Sequence, residues 1–309
     1  MKYAIISDIH GNNHALEAVL ADAKTQGVDK YLLLGDYAGN VQARAVVETI
    51  RKINPAVVIK GNGEDYFVPL IGKDFSELTS EQFKLTYWSY NSLSPQNLDY
   101  LINLPETATI TDGNHTINLA HSMNLFFRRP MVEAFHSCKF RIRMMQKPFT
   151  HDDYLLHARE ALLSTSGTLD EINEMPKGIY LFGHNHLQFH MEYDGRLFIN
   201  PGSCGQPLDW DTRAPYTILA LSDSGWHVAE RRVEYDVNQV IREMDSCGFT
   251  EYTPAWSQVL KLSLQAASDY FTAFVTHVEN TAREMGEPTP PVSNAAWNAA
   301  VATWNPKRA

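Results

Sequence analysis

A chain of 309 residues, 44% hydrophobic and 20% charged, is long enough for one large α/β domain or for a domain of about 240 residues with an appendage. Acids outnumber bases 36 to 26, giving a formal net charge of −10, so the broad cationic face of a nucleic-acid-coating or membrane-surface protein is absent. The three cysteines, Cys138, Cys204 and Cys247, are too sparse and irregular for a disulfide framework or a thiolate zinc site, and are read as reduced core residues. The opening apolar run is too short for a secretory signal, and no stretch approaches the ~20 apolar residues of a membrane span, so a cytoplasmic protein is expected.

Lys2 to Ser7 is an apolar run that stops at Asp8-Ile9-His10-Gly11-Asn12, as a buried strand ending in a loop does. A helix follows, with Leu16, Val19, Leu20 and Ala23 at three- and four-residue intervals and Gly27 as its stop. Lys30 to Leu34 is a second strand and ends at Gly35-Asp36. A helix near Val41 to Ile53, Pro55 as breaker and a strand Ala56 to Ile59 then lead to Gly61-Asn62-Gly63-Glu64-Asp65. Three strand–helix units in succession predict parallel strands with right-handed crossovers. Residues 75–103 read as two helices, and Thr107 to His121 alternates about Asp112-Gly113-Asn114 as a hairpin, which makes the sheet mixed. Residues 122–150 show no clear period. His151 to Ser164 reads as a helix and Ile179 to Phe182 as a buried strand ending at Gly183-His184-Asn185-His186. Asp194-Gly195 and Ser222-Asp223-Ser224-Gly225 are the turns of two further hairpins.

This β-rich domain is expected to span 1–247, with 248–309 a helical C-terminal extension. Thr253-Pro254 opens a helix, and Trp256, Leu260, Leu264, Ala267, Phe271, Phe274 and Val278 form one apolar stripe at helical spacing. The stripe is expected to pack on its own domain; a homo-oligomer stays open.

Asp8 and His10 flank one residue at a strand end, where extended geometry puts both side chains on the same side. Alone, Asp8-x-His10 is an ordinary surface pair, Gly35-Asp36 ordinary turn chemistry, and Asn62 a left-handed turn residue. Their shared position changes the reading, because ligands of open α/β sheets gather outside the carboxyl ends of the strands. His121, His184 and His186 add imidazoles at two more strand ends, the last two again at two-residue spacing. Seven carboxylate, amide and imidazole ligands exceed what one tetrahedral ion can use, so two ions are implied. Oxygen–nitrogen sites of this kind suit Mn2+, Fe or Zn2+, with Mn2+ expected first.

Through Asp8-x-His10, Gly35-Asp36, Gly61-Asn62-Gly63-Glu64, Ala120-His121 and Gly183-His184-Asn185-His186, in this order from residue 1 to about 240, the chain resembles the calcineurin-like metallophosphoesterases. That resemblance implies a sandwich of two mixed β-sheets flanked by helices. It implies that Asp8, His10 and His186 hold one metal, Asn62, His121 and His184 the other, and that Asp36 bridges them, with Asp36, Asn62 and His121 at the catalytic centre. Gly63 stands where the family's best-known pattern has a histidine acting as general acid. That departure, with Asn200-Pro201-Gly202-Ser203 and Gly205-Gln206-Pro207, looks like a small prokaryotic branch that prefers diesters and includes hydrolases of diadenosine tetraphosphate. The Asn200–Pro207 segment is either a turn shaping the metal loops or a substrate contact.

Between His121 and Thr150, six bases face a single acid, Glu133. The segment is either a solvated face or a phosphate-binding loop in which Arg128, Arg129, Arg141 and Arg143 meet the substrate. The expected activity is hydrolysis of a small, nucleotide-like phosphodiester or phosphoanhydride by a metal-activated hydroxide. The alternatives are a monoesterase or protein Ser/Thr phosphatase, disfavoured by Gly63, a nuclease, disfavoured by the acidic balance, and a non-catalytic module, which would show eroded ligands.

Overall fold

The computed structural model describes residues 1–128, 150–164, 167–287 and 290–306. Strand β1 (Lys2–Ile6) is flanked by β2 (Lys30–Leu33), which leads to the short β3 (Val57–Val58), and on its other side by β9 (Ala214–Ser222), which leads to β10 (Gly225–Val233). β1, β2 and β3 run parallel, and β9 is antiparallel to both β1 and β10. The second sheet has the order β4 (Thr107–Asp112), β5 (His115–Ala120), β6 (Gly178–Leu181), β8 (Arg196–Pro201) and β7 (Gln188–Tyr193). In it β5, β6 and β8 are parallel, while β4 and β7 pair antiparallel at the edges. Both sheets are therefore mixed, as expected.

The continuous apolar character of β1 follows from burial on both faces. Tyr3 and Ile5 pack with Leu32, Ile117, Leu119, Ile179, Leu181 and Ile199 between the two sheets. Ala4 and Ile6 face the other way, onto Leu16 and Val19 of α1 (Asn13–Thr25) and Val46, Val47 and Ile50 of α2 (Ala43–Ile53). The outer face of the second sheet, through Tyr180, Phe182, Phe189 and Phe198, is covered by Tyr154, Ala158 and Ile172 of the helices His151–Ser164 and Thr168–Glu174. Each fully buried Ile or Leu contributes about 1.5–3 kcal/mol over leaving it exposed. The interlayer core thereby fixes the two sheets so that the carboxyl ends of β1, β2, β3, β5 and β6 meet at one edge.

Between the sheets in sequence lie the helices Lys84–Ser92 and Pro95–Ile102, preceded by three short 3-10 turns within residues 68–83. After β10 come the helices Val237–Ser246 and Phe249–Tyr252, then Pro254–Ala266, Tyr270–Glu284 and Asn294–Thr303. The single C-terminal stripe expected from spacing is divided. Ala267 takes a left-handed conformation (φ 47°) and Asp269 caps a new helix by accepting the N–H of Thr272. Folding back puts Trp256 against Phe271, Phe274 and Trp297, with ring centroids 4.8, 5.6 and 5.2 Å away. Leu260 and Leu264 pack with Val240, Met244, Phe249 and Trp88 instead, so the stripe does cover its own chain. Of the cysteines, Cys204 is in the core but Cys247 is exposed at the end of its helix; Cys138 lies outside the described residues.

Candidate metal centre

Five of the seven expected ligands have a backbone that L-residues rarely adopt. Asp8, His10, Asp36, His184 and His186 have φ of 52°, 47°, 56°, 69° and 62°. Each costs about 1 kcal/mol or more and persists only where the surroundings over-determine it. This corrects the expectation that strand alternation aligns Asp8 with His10 and His184 with His186. All four lie past their strand ends, and repeated left-handed kinks aim the side chains inward.

What holds the kinks is a ladder between loops. The N–H groups of Asp8, His10 and Gly11 donate to the carbonyls of Gly35, Asp36 and Tyr37 at 3.0, 2.9 and 2.8 Å. Glu64, fully buried, accepts the N–H of Gly61 (2.7 Å), Asp36 (3.0 Å) and Tyr37 (2.9 Å), tying the second and third loops together. Gly35 (φ 105°) is required because a Cβ there would lie 2.5 Å from the Gly61 nitrogen. The 200–207 segment braces the loops: Ser203 Oγ donates to the Asp8 carbonyl, Asn200 to the Gly183 carbonyl, and the Gly205 N–H to the Asp8 carbonyl. A side chain at Gly205 would strike the Ile9 carbonyl. The segment is thus a brace, and Gln206 also lines the cavity.

The side chains converge on Asp8 and Asp36. Asp8 Oδ1 lies 3.4 Å from His186 Nε2, 3.8 Å from His10 Nε2 and 4.0 Å from His121 Nε2. Asp36 Oδ2 lies 3.4 Å from His121 Nε2 and 3.8 Å from His10 Nε2, while its Oδ1 accepts the Gly63 N–H at 2.7 Å. Asn62 Oδ1 is 3.1 Å from His121 Nε2, and the His121 and His184 rings stand 5.1 Å apart. His10 and His186 bring their Nε2 atoms within 3.1 Å of each other. The described residues offer two sets of ligand atoms, Asp8–His10–His186 and Asp8–Asp36–His121.

Two backbone carbonyls set the imidazoles. His121 Nδ1 donates to the Leu34 carbonyl and His186 Nδ1 to the Gln206 carbonyl, each at 2.8 Å, which turns both Nε2 atoms towards the carboxylates. Asp8 Oδ1 is buried and accepts no hydrogen bond. Burial raises the Asp8 carboxyl, with Asp36 adding to the rise and His121 and His10 opposing it. Burial and the Asp36 charge push Glu64 up to about 7. Burial opposes ionisation of Asp36 as well, but His121 outweighs it and holds that carboxyl far below the carboxylate range. Burial lowers His121, and Asp36 overrides it and lifts the imidazole to about 10. A buried cluster of acids under this tension is relieved by concentrated positive charge, and an oxygen–nitrogen donor set without thiolate suits a hard or borderline divalent ion. The residues fit such ions.

A cavity of about 610 Å³ opens over the cluster and is lined by His10, Asp36, Asn62, Gly63, His184 and His186 from the loops. Of the expected substrate-binding arginines, Arg128 pairs with Glu174 at 2.9 Å on the surface and is not among the cavity's lining residues. Arg129, Arg141 and Arg143 lie outside the described residues. Glu64 and Ser203 belonged to noticed motifs, but nothing in local spacing marks a carboxylate as an anchor for backbone amides of a distant loop. The opposite wall of the cavity comes from Lys84–Ser92 and Tyr270–Glu284, which sequence did not connect to the site.

A model of the calcineurin-like phosphoesterase superfamily domain matches residues 1–224, a span that contains all seven expected ligand residues. An uncharacterized protein of Methanocaldococcus jannaschii is 26% identical over 258 residues, which are 78% of this chain and 90% of that protein. The crystal structure of a metallophosphoesterase from Sphaerobacter thermophilus is similar at 26% identity with a TM-score of 0.60, over 86% of this chain and 98% of that one. A hypothetical protein from Pyrococcus horikoshii shares the fold at 18% identity and a TM-score of 0.58, over 84% and 97% of the two chains. With the sheet order, the strand-end cluster and the family match in agreement, the chain belongs to the calcineurin-like phosphoesterase superfamily.

Proposed function

We propose that this protein hydrolyses a phosphodiester or phosphoanhydride with two divalent metal ions, Mn2+ first and Fe or Zn2+ as alternatives. Asp8, His10 and His186 hold one ion, Asn62, His121 and His184 the other, and Asp36 is shared. The observation that carries this reading is Asp8 Oδ1, buried without a hydrogen bond and faced by three imidazole nitrogens at 3.4–4.0 Å. Divalent ions in such a site supply Lewis-acid polarisation of a phosphoryl oxygen and activation of an attacking water.

The chain's own groups do the orienting. The Leu34 and Gln206 carbonyls hold the His121 and His186 rings with Nε2 turned towards the cluster, and Asp36 Oδ2 sits between His121 and His10 where it can serve both sets. Residue 63 provides only an N–H, already committed to Asp36 Oδ1, so no side chain there protonates a departing oxygen. Leaving groups of low basicity are therefore favoured over alkoxides. The test is metal-depleted protein reloaded with Mn2+, Zn2+ or Mg2+ and assayed on paired mono- and diesters. Two bound equivalents and faster diester turnover are expected; a single equivalent, or hydrolysis of no phosphoester with any metal, overturns the reading.

A further inference from the structure

The superfamily match ends at residue 224, yet the cavity over the ligand cluster is completed by residues from beyond it. Its far wall is built by Leu85 and Thr86 of Lys84–Ser92 and by Phe271, Thr272, Val275 and Glu279 of Tyr270–Glu284. A second cavity of about 480 Å³ shares Tyr66, Leu85, Thr86, Phe271, Val275 and Glu279 with the first, so the two adjoin across these side chains. Beyond those shared side chains it is walled by Pro69, Leu70, Phe83, Tyr87, Trp256 and Trp297. The lining therefore changes from carboxylates and imidazoles in the first cavity to mainly aromatic and aliphatic side chains, with Asp65, Lys73 and Gln82, in the second.

Charge points the same way. Among the described residues, no lysine or arginine lines the first cavity, and only Lys73 lines the second. Glu279 stands half-buried on the shared wall, with no ion-pair partner among the described residues. A polyphosphate chain entering here would lose its hydration, find no described cation on the shared wall and meet a carboxylate. An uncharged aryl or alkyl chain would gain by burial against Phe271, Trp256 and Trp297.

We infer that the C-terminal helices build an ester-group subsite. The substrate is a phosphodiester with one uncharged, apolar ester group that runs from the ligand cluster past Val275 and Glu279 into the tryptophan-lined cavity, and it is not a nucleoside polyphosphate. This rests on the phosphoesterase reading above, which places the phosphorus at the ligand cluster.

The experiment uses the full-length, Mn2+-loaded protein and three phosphonates that differ only in what they send down the route: methylphosphonate, 3-phenylpropylphosphonate and 4-phosphonobutanoate. Affinity is read from inhibition of methyl p-nitrophenyl phosphate hydrolysis and, without relying on turnover, from tryptophan fluorescence. The phenylpropyl compound should bind about 10–100-fold tighter than methylphosphonate and change the emission, while 4-phosphonobutanoate should bind no tighter than methylphosphonate. Val275→Trp, which narrows the shared wall, should bring the phenylpropyl-to-methyl ratio towards one. Glu279→Lys, a milder change, should improve 4-phosphonobutanoate about tenfold relative to methylphosphonate. Equal affinity of all three compounds, or tightest binding of the anionic one, overturns the subsite even if the diester is hydrolysed. A retained phenylpropyl preference with no phosphoester turnover leaves the subsite standing and overturns the activity.

Discussion

The two walls of the cleft are built by different physics. The loop wall is a set of left-handed kinks at strand ends, held by backbone hydrogen bonds and by one buried carboxylate, Glu64, accepting three amides. The helical wall is held by side-chain packing, with Trp256 among Phe271, Phe274 and Trp297. The first fixes atoms to within the tolerance that metal chemistry needs; the second tolerates change in shape at a cost in stability. The proposed metal chemistry and the inferred ester-group selectivity fall on separate structural layers, and substitutions should separate them.

The largest effect is expected on the loop wall. Asp36→Asn removes the shared charge and should lower metal content and cut turnover by at least ~100-fold, measured by metal analysis and kinetics on the same sample. Two fully occupied sites at an unchanged rate would refute the shared role. On the helical wall, Trp297→Ala should lower stability by about 3 kcal/mol while metal affinity stays the same, because Trp297 is buried but touches no ligand loop. If metal affinity fell with stability, the two walls would not be independent.

Glu64→Gln tests the brace without replacing a proposed ligand. It keeps the size but turns an amide NH2 towards backbone N–H groups now received by carboxylate oxygens, and should weaken metal binding about 10–100-fold. Gly63→His should raise the monoester-to-diester ratio of kcat/KM roughly tenfold by supplying an acid. The gain should come with weaker metal binding, since a Cβ at residue 63 lies 3.0 Å from Asp36 Oδ1, so that carboxylate must shift. A wild-type enzyme already preferring alkyl monoesters would remove the basis for this.

The smallest effect serves as a baseline outside both walls. Glu230 bonds to His151 and His190 at 3.1 and 2.6 Å. Burial acts to raise its carboxyl, but those two bonds prevail and hold it down to about 2, and the bond to Glu230 raises His151. The carboxylate's contribution is present above the ordinary Glu value and lost as pH falls towards 2. That of His151 is complete below the ordinary His value and lost as pH rises through its raised one. Both operate fully between pH 4.5 and 6.5, the two ordinary values. Glu230→Gln should therefore lower Tm by roughly 1–3 °C at pH 6 and by less at pH 9, with kcat/KM unaffected.

The sequence by itself determined the strands, their order of chemistry and the seven candidate ligands, because doubly buried strands read as continuous apolar runs and the ligands fall at their carboxyl ends, as with Ile6 before Asp8 and Leu181 before His184. It also placed every hairpin after β3, since Asp-Gly and Ser-Gly turns are local chemistry. Only the tertiary structure decided how the ligands converge. The left-handed kinks at Asp8 and His10 are held by distant partners, the carbonyls of Gly35 and Asp36 and the Ser203 hydroxyl, and those at His184 and His186 by the Asp8 carboxylate and the Gln206 carbonyl, and no period in the chain encodes that. Tertiary structure likewise divided the C-terminal stripe at Ala267 and put Phe271 and Val275 opposite the ligand cluster. An apolar residue at helical spacing carries no mark of whether it meets core or cleft; that is settled by which surface the helix packs against.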